Sequence, residues 1–135
     1  MLDGLVLTEL TPEDKAFLER FKDCRHLSLK NCRLRSLVNF PVLPALARLD
    51  ISDNHLEGSK KDLLAPLPSC FKQLTHLSLS GNRLDMEAMK SNLIKLSETL
   101  NKLEVFGNPL PANYRELLFD SVASLETVDG YDRDG

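Results

Sequence analysis

The stretch LTHLSLSGNRL, residues 74–84, decides how this chain folds. It follows the pattern LxxLxLxx(N/C)xL. The pattern returns without gaps in CRHLSLKNCRL (24–34), LARLDISDNHL (46–56) and LNKLEVFGNPL (100–110). A degenerate copy, LDGLVLTEL, starts at Leu2, and a half copy, LETVDG, starts at Leu125. Successive copies begin 22, 22, 28, 26 and 25 residues apart. Self-similarity at such a period marks an architecture built from stacked units.

The xLxLx part of each copy alternates with period two. It therefore predicts a short strand with both aliphatic residues on one face. One repeat alone cannot cover that face, so neighbouring repeats must stack on it. Strands are expected near 4–8, 26–30, 48–52, 76–80 and 102–106, with a stub near 127–129. The predicted fold is α/β: a right-handed leucine-rich repeat solenoid with a parallel concave sheet, a helical or 3₁₀ convex side and a C-terminal cap. It forms a single domain over 1–135, with repeats starting near 2, 24, 46, 74 and 100 and the cap at about 111–135.

The returns between strands differ in length. Leu37, Phe40, Leu43 and Leu46 recur every third residue, and with Pro41 and Pro44 they predict a 3₁₀-like or irregular return. Leu63, Leu64, Leu67 and Phe71 predict a helix limited by Pro66 and Pro68. Met86, Met89, Leu93 and Leu96 predict another, and Tyr114, Leu117, Leu118 and Val122 a third. Residues 11–23 read as a helix with Thr11 as N-cap and Pro12 in the first turn. Ala16, Phe17 and Phe21 are expected to face the core.

Composition excludes several functions. Leucine supplies 28 of 135 residues, yet no apolar run approaches the roughly 20 residues that cross a bilayer. The opening MLDGLVLTEL lacks a signal-peptide layout. Net charge is −3, all of it in residues 126–135, so the body is neutral. That balance is not that of a protein tracking phosphates, and no direct nucleic-acid contact is expected. Three cysteines form no even framework and read as reduced thiols.

No catalytic constellation or phosphate loop is present, and no enzyme activity is expected. No cofactor is called for. His26 and His76 fall two rungs apart with Arg48 between them, about 9.6 Å. That is too far for one zinc ion without strong convergence, so no metal site is predicted. Cys32, Asn54, Asn82 and Asn108 share one template position and predict a structural ladder. The outward strand positions are the candidates for partner binding. One column reads Gly4, His26, Arg48, His76, Lys102. The next reads Val6, Ser28, Asp50, Ser78, Glu104. The third reads Thr8, Lys30, Ser52, Ser80, Phe106. Phe106 is the candidate aromatic anchor.

LTHLSLSGNRL, LPALARLDISDNHLEGS and above all LEVFGNPLPANYRELLFDSVASLETVDGYDRDG resemble the acidic leucine-rich nuclear phosphoprotein 32 family. The resemblance covers about residues 24–135, more weakly from residue 2. It implies a solenoid closed by a cap from Tyr114 to Tyr131, in a protein of nucleus and cytoplasm. It implies histones or protein phosphatase 2A as partners, with roles as chaperone, transcription modulator or phosphatase inhibitor. In the family the DGYDRDG segment leads into a long acidic tail, which is expected to follow Gly135. The family also begins with a helix covering the first repeat. Here the edge near Gly4–Thr8 is expected to be open, so the expected monomer has an edge-strand dimer as its alternative. The alternative functions are a structural leucine-rich subunit of a spliceosomal ribonucleoprotein and a phosphatase regulatory scaffold.

Overall fold

Each rung of the solenoid ends on a residue in the left-handed conformation. In the four full copies these are Asn31 (φ 56°), Asp53 (φ 54°), Gly81 (φ 69°) and Gly107 (φ 81°); the closing half copy turns sooner, at Asp129 (φ 53°), directly after Val128. Asn, Asp and Gly adopt that conformation at least cost, which is why those types occupy the eighth template position. At Gly81 more than φ is at stake: a β-carbon there would lie 2.1 Å from Asp53 Oδ1.

The computed structural model describes residues 2–58 and 63–134. The elements in order are α1 (Pro12–Leu18), β1 (His26–Ser28), β2 (Arg48–Asp50), β3 (Glu57–Gly58), α2 (Pro66–Cys70), β4 (His76–Ser78), β5 (Arg83–Leu84), α3 (Met86–Leu93), a 3₁₀ turn (Ile94–Leu96), β6 (Lys102–Glu104), α4 (Tyr114–Ser121) and β7 (Thr127–Val128). The main sheet is parallel in the order β1-β2-β4-β6-β7. In register, His26, Arg48, His76, Lys102 and Thr127 face one another across it. The pair β3–β5 forms a second short parallel ladder, which the repeat pattern does not announce.

The core is the stacked template. Leu27, Leu49, Leu77 and Leu103, with Leu29, Ile51, Leu79 and Val105, are buried between the sheet and the returns. The return after Leu34 is irregular, and Leu37, Phe40, Leu43 and Leu46 are all buried along it. Leu64, Leu67 and Phe71 serve the α2 return, and Met89, Leu93 and Leu96 the α3 return. Leu118 and Val122 serve the last; all of these are buried. Leu63, Met86 and Tyr114 pack on this core while partly buried.

Two expectations near the start are corrected. No strand forms over 4–8. The amides of Leu29, Ile51 and Leu79 donate to the carbonyls of Asp50, Ser78 and Glu104, and Leu2 makes the equivalent bond to Ser28. The Gly4 amide donates to Lys30, as the turn residues Asn31, Asp53 and Gly81 donate to Ser52, Ser80 and Phe106. Thus LDGLVL (2–7) matches LKNCRL (29–34), the end of a coil, and Gly4 (φ 80°) is its turn residue. Gly4, Val6 and Thr8 therefore do not head the three concave columns, whose rungs begin at His26.

The helix α1 ends at Leu18, with a full capping box between Thr11 and Asp14. Leu10 and Leu18 are its buried anchors. Ala16 is exposed, and Phe17 and Phe21 are 53% and 52% exposed, so these three do not enter the core. The helix is instead clamped by polar contacts. Lys15 Nζ donates to the Phe40 carbonyl, and the Val42 amide donates to Glu19 Oε2.

Candidate functional site

Side chains of the ninth template position sit beneath the turns. The Asn54 amide group donates to the carbonyls of Leu29, Ile51 and Ser52, and its oxygen accepts from the amides of Cys32 and Leu34. Asn82 donates to Ile51, Leu79 and Ser80 and accepts from Leu56. Asn108 donates to Leu79 and Val105 and accepts from Leu84. Each asparagine thus ties its own turn to the preceding coil, leaving few turn groups unpaired. Cys32 has a thiol there, which donates to the Leu2 carbonyl at 3.0 Å. Burial raises the thiol pKa of both Cys32 and Cys70.

This frame presents three columns on the concave face. In the first, His26, Arg48 and Lys102 are exposed and His76 is half-buried. The His76 pKa is lowered, by burial first and then by Arg48 and Lys102, with Glu126 acting the other way. In the second column Asp50 and Ser78 are half-buried and Glu104 is exposed. In the third, Lys30 is exposed and Phe106 is 69% exposed.

Two of the expected contact residues are not open. The Ser28 hydroxyl is buried and donates to Asp3 Oδ1 at 2.5 Å. Ser52 is buried and its hydroxyl donates to Asp50 Oδ1 at 2.5 Å. Both serines satisfy neighbouring carboxylates rather than face a partner. The Ser80 hydroxyl, one rung further on, is buried and has no hydrogen-bond partner among the described residues.

At the C-terminal end the concave face runs into a shallow cleft of about 450 Å³, lined by Glu104, Phe106, Tyr114, Asp129, Gly130 and Tyr131. Tyr131 is 52% exposed, and the Arg115 guanidinium lies 4.0 Å over its ring. Asp129 closes the sheet. Its Oδ1 accepts from the amides of Val105 and Phe106, and its Oδ2 accepts from the Tyr114 hydroxyl. The Tyr114 pKa is pushed up to about 12, by burial and then by the hydrogen bond to Asp129. The repeat pattern identifies Glu104 and Phe106 but not Tyr114, Asp129 and Tyr131. Those three come from the cap, where DGYD carries the signal. Among the described residues no group of three or more His, Cys, Asp or Glu side chains is placed to hold a metal ion.

A stacked parallel sheet with leucine strands, left-handed turns and an asparagine ladder defines a leucine-rich repeat protein. A family profile described as Leucine Rich Repeat matches residues 73–97. Within that class the chain resembles proteins named acidic leucine-rich nuclear phosphoprotein 32-related. It is 31% identical, along its whole length, to a protein of that name from Plasmodium falciparum, of which it covers 48%. It is 37% identical over 81% of its length to related protein 1 of Caenorhabditis elegans, and 35% over 87% to related protein 2. It covers 47% and 52% of these two, so the chain spans about half the length of the curated relatives it matches. The fold is shared with a chain of the Drosophila melanogaster SNF/U2A′ complex, at a TM-score of 0.74 and 23% identity over 97% of this chain and 72% of that one. It is shared more loosely with a chain of the Chaetomium Mex67:Mtr2 structure, at a TM-score of 0.55 and 23% identity over 66% of this chain and 57% of that one.

Proposed function

We propose that this chain is a non-catalytic protein-binding module of nucleus and cytoplasm that engages basic partners, histones first among them, with the concave face as its contact surface. The observation that carries the reading is the cleft at the C-terminal end of the sheet. Glu104, Phe106 and Tyr131 stand exposed together there, with Asp132 and Asp134 just beyond. Exposed aromatic rings beside carboxylates suit lysine and arginine side chains, which gain from both ring faces and charge. The relatives' names, acidic and nuclear, support the same partner class. Inhibition of protein phosphatase 2A is a second activity of this module, and it rests on the family resemblance alone.

The test is binding of core histones by the chain and by Glu104→Lys combined with Phe106→Ser. Both side chains are exposed, so the variant should fold as the parent does. The reading expects a loss of affinity of about tenfold or more, steepest at low salt. Equal binding by parent and variant would remove the cleft from the contact surface. The same proteins added to a phosphatase 2A assay test the second activity.

A further inference from the structure

The concave face carries a second chemistry beside that cleft. His26, Arg48, His76 and Lys102 stand in one column on four successive rungs, in register across β1, β2, β4 and β6. The column itself holds no acid. The ion pairs of the described residues are Lys15–Glu19 and Glu57–Arg83, both away from this face. The adjoining column holds two acids: Asp50 accepts from both the amide and the hydroxyl of Ser52, and Glu104 stands exposed two residues from Lys102 without an ion pair to it. Two permanent cations, Arg48 and Lys102, thus stand without an ion pair among the described residues, with an imidazole on the rung between them and another at the head of the column.

We propose that this column is a docking track for an acidic α-helix of a partner protein, laid across the strands so that successive turns place a carboxylate over successive rungs. Spacing selects the helix. Rungs repeat about every 4.8 Å. A helix repeats about every 5.4 Å along its axis, and residues four apart hold their β-carbons about 5–6 Å from each other. An extended strand presents one face only about every 6.7 Å. Over the three steps from His26 to Lys102, a helix drifts out of register by ~2 Å and a strand by ~6 Å. Long side chains such as Arg48 and Lys102 absorb the first drift and not the second.

His76 gives the track a proton linkage. Burial, Arg48 and Lys102 all disfavour its charged form, against the single opposing pull of Glu126. A row of carboxylates above the column reverses the sign of that field, so His76 takes up a proton when the helix binds. Affinity must then rise as pH falls from 8 towards 6. The inference rests on the concave face being a contact surface, but not on a basic partner at the Glu104–Phe106 cleft.

The experiment uses two labelled synthetic peptides of equal length and net charge. One is a helix with glutamates at i, i+4, i+7 and i+11, which share one face, and the other carries central prolines that break it. Fluorescence anisotropy at low salt should show binding of the helical peptide and at least tenfold weaker binding of the broken one. Arg48→Ala with Lys102→Ala should weaken the helical peptide by about tenfold or more. The affinity gain between pH 8 and pH 6 should be several-fold and should disappear in His26→Asn with His76→Asn. Unchanged affinity in the Arg48/Lys102 variant, equal affinity for the two peptides, or a pH response that survives loss of both histidines would each overturn the proposal. Histone binding lost in Glu104→Lys/Phe106→Ser, with the acidic helix still bound, would separate the two surfaces.

Discussion

The two ends of the solenoid meet the same problem and solve it unequally. At each end a sheet strand has one side without a following coil, and at each end an aspartate–glycine pair answers. Asp3 accepts from the Ser28 hydroxyl and the Lys30 amide, and Gly4 makes the left-handed turn. Asp129 accepts from the Val105 and Phe106 amides and itself makes the turn, with Gly130 following. The resemblance ends there. The C-terminal aspartate is held in turn by Tyr114, and Val128 and Tyr131 bond each other in both directions. Arg133 then donates to the carbonyls of Phe119, Val122, Ala123 and Leu125 while lying 4.9 Å over the Phe119 ring. Asp3 has no such backing, and Leu5, Val6, Phe17 and Phe21 are each about half exposed or more. A capping carboxylate contributes to stability only as far as its own position is fixed.

The largest effect should therefore come from Asp129→Ala. It leaves two amides at the end of β6 and a half-buried phenol without their acceptor, at about 1–3 kcal/mol for such groups. Asp3→Ala removes a like pair of bonds from an exposed side chain and should cost well under about 1 kcal/mol. Urea unfolding of both variants measures the difference. Equal losses would mean that the cap network adds nothing to the aspartate itself. Next in size is Arg133→Gln, which strips the α4 end and the β7 approach of their shared donor. A loss of about 1–2 kcal/mol is expected, read in the same unfolding experiment.

The two ends should also fail at opposite extremes of pH. The Asp3 carboxyl is held below its ordinary value by the Ser28 hydroxyl, against partial desolvation and with help from the Lys30 amide. Its contribution is present above the unfolded value of 3.8 and is lost as pH falls through the folded one. Tyr114 is raised from 10.0 to about 12, so the neutral phenol is the form the fold favours. Its contribution is present below pH 10.0 and is lost as pH rises towards about 12. Tm measured against pH should show an alkaline fall beginning near 10 that Tyr114→Phe reduces. The Lys30 amide resonance should move in acid in the parent and not in Asp3→Asn.

The same contrast governs how much could be read from the sequence. From His26 onward the rungs follow the pattern residue by residue, because leucine spacing and turn chemistry select one register. Asn31, Asp53, Gly81 and Gly107 all allow the left-handed turn that the spacing requires. At the start, Leu2 and Leu7 fall on leucine positions of the pattern in two registers. Leucine counting cannot choose between them. The choice lies with Gly4, whose positive φ belongs to the turn and not to a strand. The phase of α1 failed for a related reason. Seven residues make barely two turns, too few for periodicity to outweigh the polar clamp of Lys15 and Glu19. In the site, the exposed charges and Phe106 followed from alternation alone. The burial of Ser28 and Ser52 did not, because it depends on carboxylates that reach across or along the sheet.

The smallest expected effect concerns the aromatic pair of the open end. Phe17 and Phe21 meet edge to face at 5.4 Å, and Arg20 lies 5.9 Å over Phe17. Each ring keeps about half its surface in water, so replacing it gives up little burial. Phe17→Ser with Phe21→Ser should change unfolding free energy by about 0.5 kcal/mol or less per site, in contrast to the several kcal/mol of a buried phenylalanine such as Phe40. The variant should instead raise the solubility limit, since it removes an apolar patch from the end with less covering. Concentration at precipitation and urea midpoint, measured on one preparation, check both halves. A large drop in the midpoint would mean that these rings hold α1 on the sheet, and that the N-terminal end is braced by packing rather than by Lys15, Glu19, Leu10 and Leu18.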